Sequence, residues 1–258
     1  MDRISVVIIT LNEAGRLARC LQSVQMVADE IIVLDSGSSD DTLLIAEKWG
    51  AKTFHAPFSG YIEQKNKALE FASHRYVLSL DADEALSEEL SASIQKAKQE
   101  LRFDCYQMNR CTFYCGKFIR HGSWYPDRKT RLFNKEKAKW GGINPHDRVE
   151  ISKDSNRQFL KGDILHYSYD SLEDHIHQNN RFSSIAAKAY FSKGKRAHYG
   201  QFIFNPVWAF LQGYFFRMGF LDGYRGYVIA RNIAHMTFMK YYKLKALEKG
   251  IPVGGQPN

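Results

Sequence analysis

The 258-residue sequence is poor in the features that mark secreted and membrane-spanning proteins. It has no cationic N-terminal segment followed by an apolar run and a small-residue cleavage site, because the first apolar segment begins at Ile4. We therefore expect no signal peptide and a cytoplasmic location. The most aromatic segment, Phe202 to Phe220, is interrupted by proline, glycine and polar residues, so it is a poor candidate for a spanning helix.

Cysteine is scarce and is not arranged as a metal or redox motif. The four cysteines are Cys20, Cys105, Cys111 and Cys115. Three residues separate the last two, which is not the spacing of a common zinc or disulfide-exchange site, and no second pair accompanies them. We interpret them as small apolar residues of helices and strands in a reducing compartment.

The glycine-rich turn of dinucleotide-binding enzymes is also missing, since Thr10 to Gly15 contains a single glycine. What the first hundred residues do contain is a regular alternation of apolar runs and helical patterns. Strands are predicted at 4–10, 30–35, 52–55 and 76–81, and helices at 16–24, 40–50 and 64–72. This order predicts βαβ units and an α/β fold with a mostly parallel, Rossmann-like sheet.

The pattern changes after about residue 104. A strand pair is predicted at 104–119, with further strands at 130–134 and 159–169 and a helix over 171–198 that begins at Ser171. Two more helical stretches follow. The sequence therefore predicts an α/β nucleotide-binding half at 1–100, a mixed half at 101–180, and a helical appendage at 181–258.

Positive charge is concentrated in that appendage. The net charge is +8, but residues 1–180 carry 24 Lys or Arg against 26 Asp or Glu, whereas residues 181–258 carry 12 against 2. A basic, aromatic, amphipathic segment favours the headgroup layer of an anionic membrane. Nucleic acid is the competing anionic partner, but the aromatic residues are grouped with aliphatic ones and not spaced as base-stacking platforms, so we expect no nucleic acid.

Acidic and polar residues follow the ends of three predicted strands. Thr10, Asn12 and Glu13 follow the first strand, Asp35 ends the second, and Asp81 and Asp83 end the fourth. The carboxyl ends of parallel strands form the ligand-binding edge of an α/β sheet, so these side chains are expected to converge. An Asp-x-Asp pair suits Mg²⁺ or Mn²⁺, which bind carboxylate and phosphate oxygens. The alternative is a solvated loop before a helix capped by Ser87.

The motifs VVIITLNEAGRL, VLDSGSSDDT, QKNKA and LSLDADE together resemble the family 2 inverting glycosyltransferases of the GT-A fold. The resemblance extends from residue 4 to about 240, and it implies that the half at 1–100 binds the nucleotide sugar and that the half at 101–180 binds the acceptor and carries the catalytic residue. The tail motif from Gly213 to Gly226 is similar to that of short bacterial members that assemble the lipopolysaccharide core. The resemblance implies a metal-dependent hexosyltransferase that uses a nucleotide-diphosphate sugar, expected to be UDP-linked, and a lipopolysaccharide core or other envelope glycan acceptor at the inner membrane.

The resemblance also implies roles for individual residues. The predicted nucleotide-binding residues are Thr10, Asn12, Glu13, Asp35, Lys65 and Asp81. The predicted ligands of Mg²⁺ or Mn²⁺ are Asp83 and His166, although His166 is equally well interpreted as a core histidine at a strand end. Asp147 is the expected catalytic base, and Asp127 competes for the role. The sequence departs from the sub-group here, because a shorter aspartate stands at 147 where glutamate is common.

Several basic residues flank the two base candidates. Arg128, Arg131 and Arg181 are predicted contacts of the diphosphate or the acceptor, with a solvated charged face as the alternative for the first two. Transfer to a polyprenyl phosphate, as in dolichol-phosphate sugar synthases, is the second enzymatic interpretation. A catalytically inactive nucleotide-sugar scaffold is a weaker alternative, because the Asp-x-Asp pair and a plausible base are present. A nucleotidyltransferase is weaker too, because LNEAGRL is a poor match to the Lys- or Arg-bearing glycine-rich loop that it would need after the first strand.

Overall fold

A computed structural model describes residues 2–143 and 146–254 of the chain. The first part forms, in order, β1 (Ile4–Thr10), α1 (Ala14–Val24), β2 (Glu30–Asp35), α2 (Thr42–Lys48), β3 (Lys52–His55), α3 (Tyr61–Phe71), β4 (Tyr76–Asp81), β5 (Glu84–Leu86) and α4 (Glu88–Lys98). It continues with β6 (Cys105–Tyr114), β7 (Lys117–Phe118), β8 (Asp127–Asn134), β9 (Ala138–Ile143), β10 (His146–Ile151) and β11 (Arg157–Tyr169). Three helices complete it: α5 (Leu172–Ser192), α6 (Tyr199–Leu211) and α7 (Tyr224–Glu248).

The main sheet has the strand order β3-β2-β1-β4-β8-β6-β11-β5. Strands β3, β2, β1 and β4 are parallel, whereas β8 is antiparallel to both β4 and β6, and β5 is antiparallel to β11. The α/β prediction and its parallel first half are confirmed, and the four strands have the predicted bounds. Since β2 and β4 lie on opposite sides of β1, the direction of winding reverses at β1, and ligands bind outside the carboxyl ends of strands at such a reversal.

Strands β1, β2 and β4 are buried on both faces, which is why they appear in the sequence as continuous apolar runs, whereas the edge strand β3 is partly exposed. Ile4, Val6 and Ile8 of β1 pack into one core cluster with α1 and α4. Val7, on the opposite face of the same strand, packs into a second cluster with Ala68 and Leu69 of α3. Successive side chains of a strand point to opposite faces, so one strand supplies both cores and its end is rigidly placed.

A short strand that was not predicted follows the acidic turn. The chain first forms β5, which pairs with β11, and α4 begins only at Glu88. Ser87 caps that helix as expected, because its Oγ accepts a hydrogen bond from the Leu90 amide at 3.2 Å. Strands β9 and β10 form a separate two-stranded ladder that the sequence analysis did not predict. Asn144 and Pro145, within the segment predicted to carry the base, lie outside the described residues.

The chain divides into two compact units, which are residues 1–111 with 127–167, and residues 112–126 with 168–258. The predicted boundaries at 100 and 180 are functional ones and stay a prediction. In the second unit α7 packs against α5 and α6. Helix α5 begins with a capping box in which Ser171 and Asp174 bond reciprocally, so its predicted start is confirmed. The C-terminal helices of the predicted fold are therefore present.

The glycine-rich tail motif of the second unit has a packing role. A Cβ on Gly226 would lie 1.8 Å from the carbonyl oxygen of Gly219, so only glycine fits where these backbones meet. Asp222 is buried and accepts hydrogen bonds from the amides of Arg120 and His121 at 3.0 and 2.8 Å. Among the residues that the structure describes, no helix is both long enough and apolar enough to cross a membrane.

Candidate functional site

A cleft of about 370 Å³ lies at the carboxyl ends of the parallel strands. The pairing register aligns Thr10 with Asp35 and Ile9 with Asp81, so β1, β2 and β4 end at the same level. The lining residues come from these strand ends and from nearby loops: Ile9, Thr10, Leu11, Glu13, Ser36, Phe58, Tyr61, Asp81, Ala82, Asp83 and His166. The structure therefore confirms the predicted convergence of the strand ends.

Asp35 organises the loop after β2. Its Oδ2 accepts hydrogen bonds from the amides of Gly37 and Ser38, each at 2.8 Å, and Oδ1 accepts one from the Ser38 hydroxyl. The residue is only 1% exposed. This carboxylate therefore shapes the loop at the cleft rim, and its contact with a nucleoside stays a prediction.

The loops after β1 and β2 are tied together at the same rim. Three consecutive amides, of Asn12, Glu13 and Ala14, donate to side chains of the second loop at 2.8, 2.9 and 3.1 Å. The acceptors are the side-chain oxygens of Ser38, Thr42 and Asp40. Asn12 adopts the left-handed conformation, with φ of 54°, and its Oδ1 accepts the Ser39 amide at 2.8 Å. Asn12 thus has a clear structural task at the predicted nucleotide site.

Thr10 and Glu13 present polar atoms to the cleft. Among the described residues, the buried Oγ1 of Thr10 has no hydrogen-bond partner. An unpaired buried hydroxyl is costly unless a ligand or water completes it. Burial raises the pKa of Glu13, the charge of Asp83 adds to that increase, and Arg16 partly offsets it.

A buried ionic network surrounds Asp81. Lys65 Nζ lies 2.9 Å from Asp81 Oδ1, and Arg131 Nη2 lies 3.2 Å from Oδ2. The same Arg131 atom is 2.8 Å from Glu84 Oε1. Burial by itself would raise the pKa of Asp81, but the charges of Lys65 and Arg131 outweigh it and hold the pKa well below its ordinary value. Asp81 is therefore ionised.

Asp147, the expected base, belongs to this network. It lies on β10 opposite Gly142 of β9, with its side chain 15% exposed, and its Oδ2 is 2.7 Å from Lys65 Nζ. The Trp140 ring covers the lysine, with Nζ 4.4 Å from the ring centroid. Asp81, which is predicted to bind the nucleotide, and Asp147, the predicted base, therefore share the ammonium group of Lys65.

Asp83 and His166 are adjacent, with Oδ2 and Nε2 3.2 Å apart. Within 2–143 and 146–254, no group of three or more His, Cys, Asp or Glu residues is arranged to hold a metal ion. The pair nevertheless fits Mg²⁺ or Mn²⁺, because such ions are often held by one or two protein ligands with substrate phosphates and water completing the shell. Both residues line the cleft, which gives phosphate oxygens access to them.

The remaining predicted residues lie in other surroundings. Asp127 is paired with Arg110 at 2.9 Å and Lys129 at 3.0 Å. Arg128 is exposed and lies over the Phe159 ring at 5.2 Å. Arg181 is exposed on α5 of the second unit. Of the arginines predicted for the diphosphate or acceptor, Arg131 is the one that contacts Asp81.

Glu84 and Trp140 are two site residues that were not predicted. Glu84 is 1% exposed, and besides pairing with Arg131 it accepts the Asp81 amide at 3.0 Å, so it fixes the turn between β4 and β5. Its signal was its place in the LDADE motif. Trp140 had no signal beyond its place before the predicted base, because its role depends on a helix more than seventy positions earlier.

Comparisons with known proteins agree with this geometry. Residues 5–162 match the family model described as Glycosyl transferase family 2. An uncharacterized glycosyltransferase of Rickettsia prowazekii is 35% identical over 96% of this chain and 88% of that protein. The lipopolysaccharide core biosynthesis glycosyltransferase LpsC of Rhizobium meliloti is 28% identical over 95% of this chain and 94% of its own length.

Similarity to solved structures is partial. Staphylococcus aureus TarS matches with a TM-score of 0.49 and 16% identity over 71% of this chain and 39% of that one. Glucosyl-3-phosphoglycerate synthase from Mycobacterium tuberculosis matches with a TM-score of 0.35 and 28% identity over 44% of each chain. The family model covers more than half of the chain and the Rickettsia relative nearly all of it. The chain therefore belongs to glycosyl transferase family 2.

Proposed function

We propose that this glycosyltransferase moves a hexose, with inversion, from a nucleotide-diphosphate sugar to a lipopolysaccharide core or other envelope glycan acceptor. The observation that supports it most strongly is the aligned ends of β1, β2 and β4, with Asp147 joined to Asp81 through Lys65. This arrangement sets a candidate base beside the cleft for the donor.

The donor fits the cleft by both shape and chemistry. The cleft volume of about 370 Å³ lies in the range of small-molecule sites. Phe58 and Tyr61 supply an apolar wall, and the unpaired Thr10 hydroxyl can bond a polar atom of the nucleotide. A UDP-linked sugar is the donor to test first. The name of LpsC, a lipopolysaccharide core enzyme, supports the acceptor class.

Asp83 and His166 would hold Mg²⁺ or Mn²⁺ next to the diphosphate. When bound, such an ion supplies positive charge that stabilises the departing nucleoside diphosphate. Glu13, whose pKa is raised by burial and by Asp83, lies on the same cleft wall and adds negative charge in its ionised form.

Asp147 would act as the general base. It accepts the proton of the acceptor hydroxyl while that oxygen attacks the anomeric carbon on the face opposite the leaving group. A single displacement through a transition state with oxocarbenium character inverts the anomeric centre, so an α-linked donor gives a β-glycoside. The carboxylate is 15% exposed, so its partial burial limits competition from water.

The second unit would hold the enzyme at the cytoplasmic face of the inner membrane. Residues 175–221 contain no Asp or Glu, and Lys193, Lys195, Arg196 and Arg217 are exposed. Large apolar side chains between Tyr199 and Tyr227 are exposed as well: Tyr199, Ile203, Phe204, Val207, Trp208, Phe215, Phe216, Met218, Phe220, Leu221, Tyr224 and Tyr227. Such a surface suits insertion among anionic headgroups, where a membrane-linked acceptor is displayed.

A donor screen tests the chemical proposal. The purified protein would be incubated with Mn²⁺, delipidated core oligosaccharide and UDP-, GDP- or CMP-sugars in turn, with nucleotide release as the readout. We expect release with one nucleotide class, dependent on both acceptor and metal, and a product of inverted configuration by NMR. Retained configuration, or no release with any donor, would contradict the proposal.

Vesicle flotation tests the membrane proposal separately. We expect the protein to float with vesicles containing phosphatidylglycerol at low salt, and less so with phosphatidylcholine alone or at high salt. The double variant Phe204→Ser, Phe216→Ser should lose retention. Met26→Ser is the matched control, because Met26 is 73% exposed on the first unit. No retention of the native protein at low salt would rule out this surface as a membrane site.

A further inference from the structure

We infer that Lys65 is a positioning residue for Asp147. The triplet Gln64-Lys65-Asn66 joins the loop after β2 to the β9–β10 ladder, which carries Asp147. This inference rests on the proposed function for the role of Asp147. It differs from the role that the resemblance implies for Lys65, which is a contact with the nucleotide or its phosphates. The hydrogen bonds and ion pairs made by side chains of α3 support this inference.

Each member of the triplet bonds a different part of the site. Gln64 Nε2 donates to Ser36 Oγ, directly after Asp35, and to the Ala56 carbonyl, each at 3.0 Å. Asn66 forms two hydrogen bonds with the backbone of Trp140 on β9, at 2.9 and 3.0 Å. Helix α3 is therefore fixed to the loop after β2 on one side and to the β9–β10 ladder on the other.

Lys65 lies between these two attachments and is only 3% exposed. Its Nζ is 2.7 Å from Asp147 and 2.9 Å from Asp81. Two carboxylates held this close would repel one another if no cation lay between them, and a buried ammonium needs such partners. Lys65 is therefore held by the two acids and holds them in turn.

The two carboxylates do not depend on Lys65 to the same extent. Asp81 also contacts Arg131, and its amide is held by Glu84. For Asp147, Lys65 is the cation within ion-pair distance in the part of the chain that the structure describes. Loss of the ammonium would leave Asp81 largely in place, whereas Asp147 would lose the contact that orients it.

The inference predicts a separation of kcat from nucleotide affinity. In Lys65→Gln, kcat should fall about 100-fold or more, because a correctly placed base contributes roughly 10²–10⁴-fold. The Kd for the nucleoside diphosphate without acceptor should change less than about threefold. Lys67→Gln is the matched control, because Lys67 is two positions further on the same helix, is half-exposed and pairs with Glu70. This variant should behave like the native enzyme.

A double-mutant cycle with Asp147→Asn tests whether Lys65 acts through the base. If it does, adding Lys65→Gln to Asp147→Asn should lower kcat by less than about threefold further. A cycle on thermal stability should show the same coupling, with the double variant melting no lower than Lys65→Gln alone. Additive effects in both cycles, or a nucleotide affinity reduced tenfold or more by Lys65→Gln, would overturn the inference and assign Lys65 to the phosphates.

Two further measurements test the inference if the enzyme shows no activity or if Lys65→Gln does not fold. The stability cycle needs no turnover, so it measures the Lys65–Asp147 coupling even if the donor screen finds no activity and the proposed function fails. If Lys65→Gln does not fold, Asn66→Ala releases the β9 backbone from α3 with Lys65 intact. It should lower kcat while nucleotide affinity is kept, and an unchanged kcat would contradict the inference.

Discussion

The two edges of the parallel sheet both carry buried acid and both border a cleft, yet they differ in what the acid can do. At the amino-end edge, a cleft of about 470 Å³ contains Glu30. The carboxyl-end cleft is smaller, about 370 Å³. Cavity size therefore does not identify the site in this protein, and the bonding of each carboxylate is the better guide.

Glu30 is fully occupied by its neighbours. It accepts hydrogen bonds from the Ser5 hydroxyl at 2.7 Å, from the Ser73 amide and hydroxyl at 2.9 and 2.8 Å, and from Lys52 at 2.7 Å. Burial would raise its pKa, but these bonds, led by that of Lys52, lower it to about 2. At the carboxyl-end edge several acids share cations, and the Thr10 hydroxyl has no partner among the described residues. A saturated acid stabilises the fold, whereas acids around an unpaired hydroxyl can receive a ligand.

The largest expected effect is at the carboxyl-end edge. Asp147→Asn should lower kcat by about 10²–10⁴-fold, because the amide cannot accept the acceptor proton. Its melting temperature should fall by a few degrees, because the buried Lys65 ammonium loses one of its two anionic partners even though the amide oxygen can still accept from it. Steady-state kinetics and a thermal melt measure both. Near-native activity would favour the polyprenyl-phosphate alternative, in which the acceptor is already an anion.

Asp83→Asn should have the next largest effect. Removing one hard anionic ligand weakens the hold on Mg²⁺ or Mn²⁺, so activity at low metal should fall about 10–100-fold and recover partly at millimolar Mn²⁺. A metal titration of the rate provides the measurement, and His166→Ala should shift it in the same direction. An unaltered titration in both variants would remove this pair from the proposed metal site.

Glu30→Gln should affect stability and leave catalysis alone. Loss of the charge from a carboxylate with charge-assisted and backbone hydrogen bonds should cost about 1–3 kcal/mol, which is roughly 2–12 °C in Tm for a chain of this size. The ratio kcat/KM should match the native value at a temperature where both proteins are folded. A marked loss of activity with unchanged Tm would break the contrast between the two edges.

The smallest expected effect is the pH dependence of the Tm difference between the native protein and Glu30→Gln. The folded pKa of Glu30 is about 2 against an ordinary value of 4.5, so its stabilisation is fully present above pH 4.5 and is lost as the pH falls towards 2. The Tm difference between native protein and Glu30→Gln should therefore be constant near neutral pH and shrink below pH 4.5. Thermal melts in steps from pH 6 to 2.5 test this, and a difference that grows on acidification would contradict it.

The sequence was sufficient for the parallel half of the fold and for the convergence of the strand ends. Apolar runs bounded by turns fixed β1 to β4, and parallel winding then requires Thr10, Asp35 and Asp81 to meet at one edge. The short strand β5 escaped prediction because Glu-Ala-Leu also suits a helix start, and its pairing with β11 depends on residues far along the chain.

Partnerships across long separations could not be predicted. The contact between Lys65 and Asp147 joins residues on α3 and β10, and the charge of each was equally compatible with a phosphate, a metal or solvent. Arg131 illustrates the same limit. Basic residues at 128 and 129 precede it and suggested a contact with the diphosphate or the acceptor, whereas its side chain is 4% exposed and turned towards Asp81 and Glu84. Burial decided the partner, and burial is a property of the assembled sheet.

The three amides of Asn12, Glu13 and Ala14 that donate into the segment 38–42 have a consequence for engineering donor choice. If either stretch alone is replaced by that of another member of the family, these backbone amides lose their hydrogen bonds when the side chains opposite them differ in length. A chimera meant to accept a different sugar nucleotide should exchange residues 11–14 and 36–42 as a single cassette.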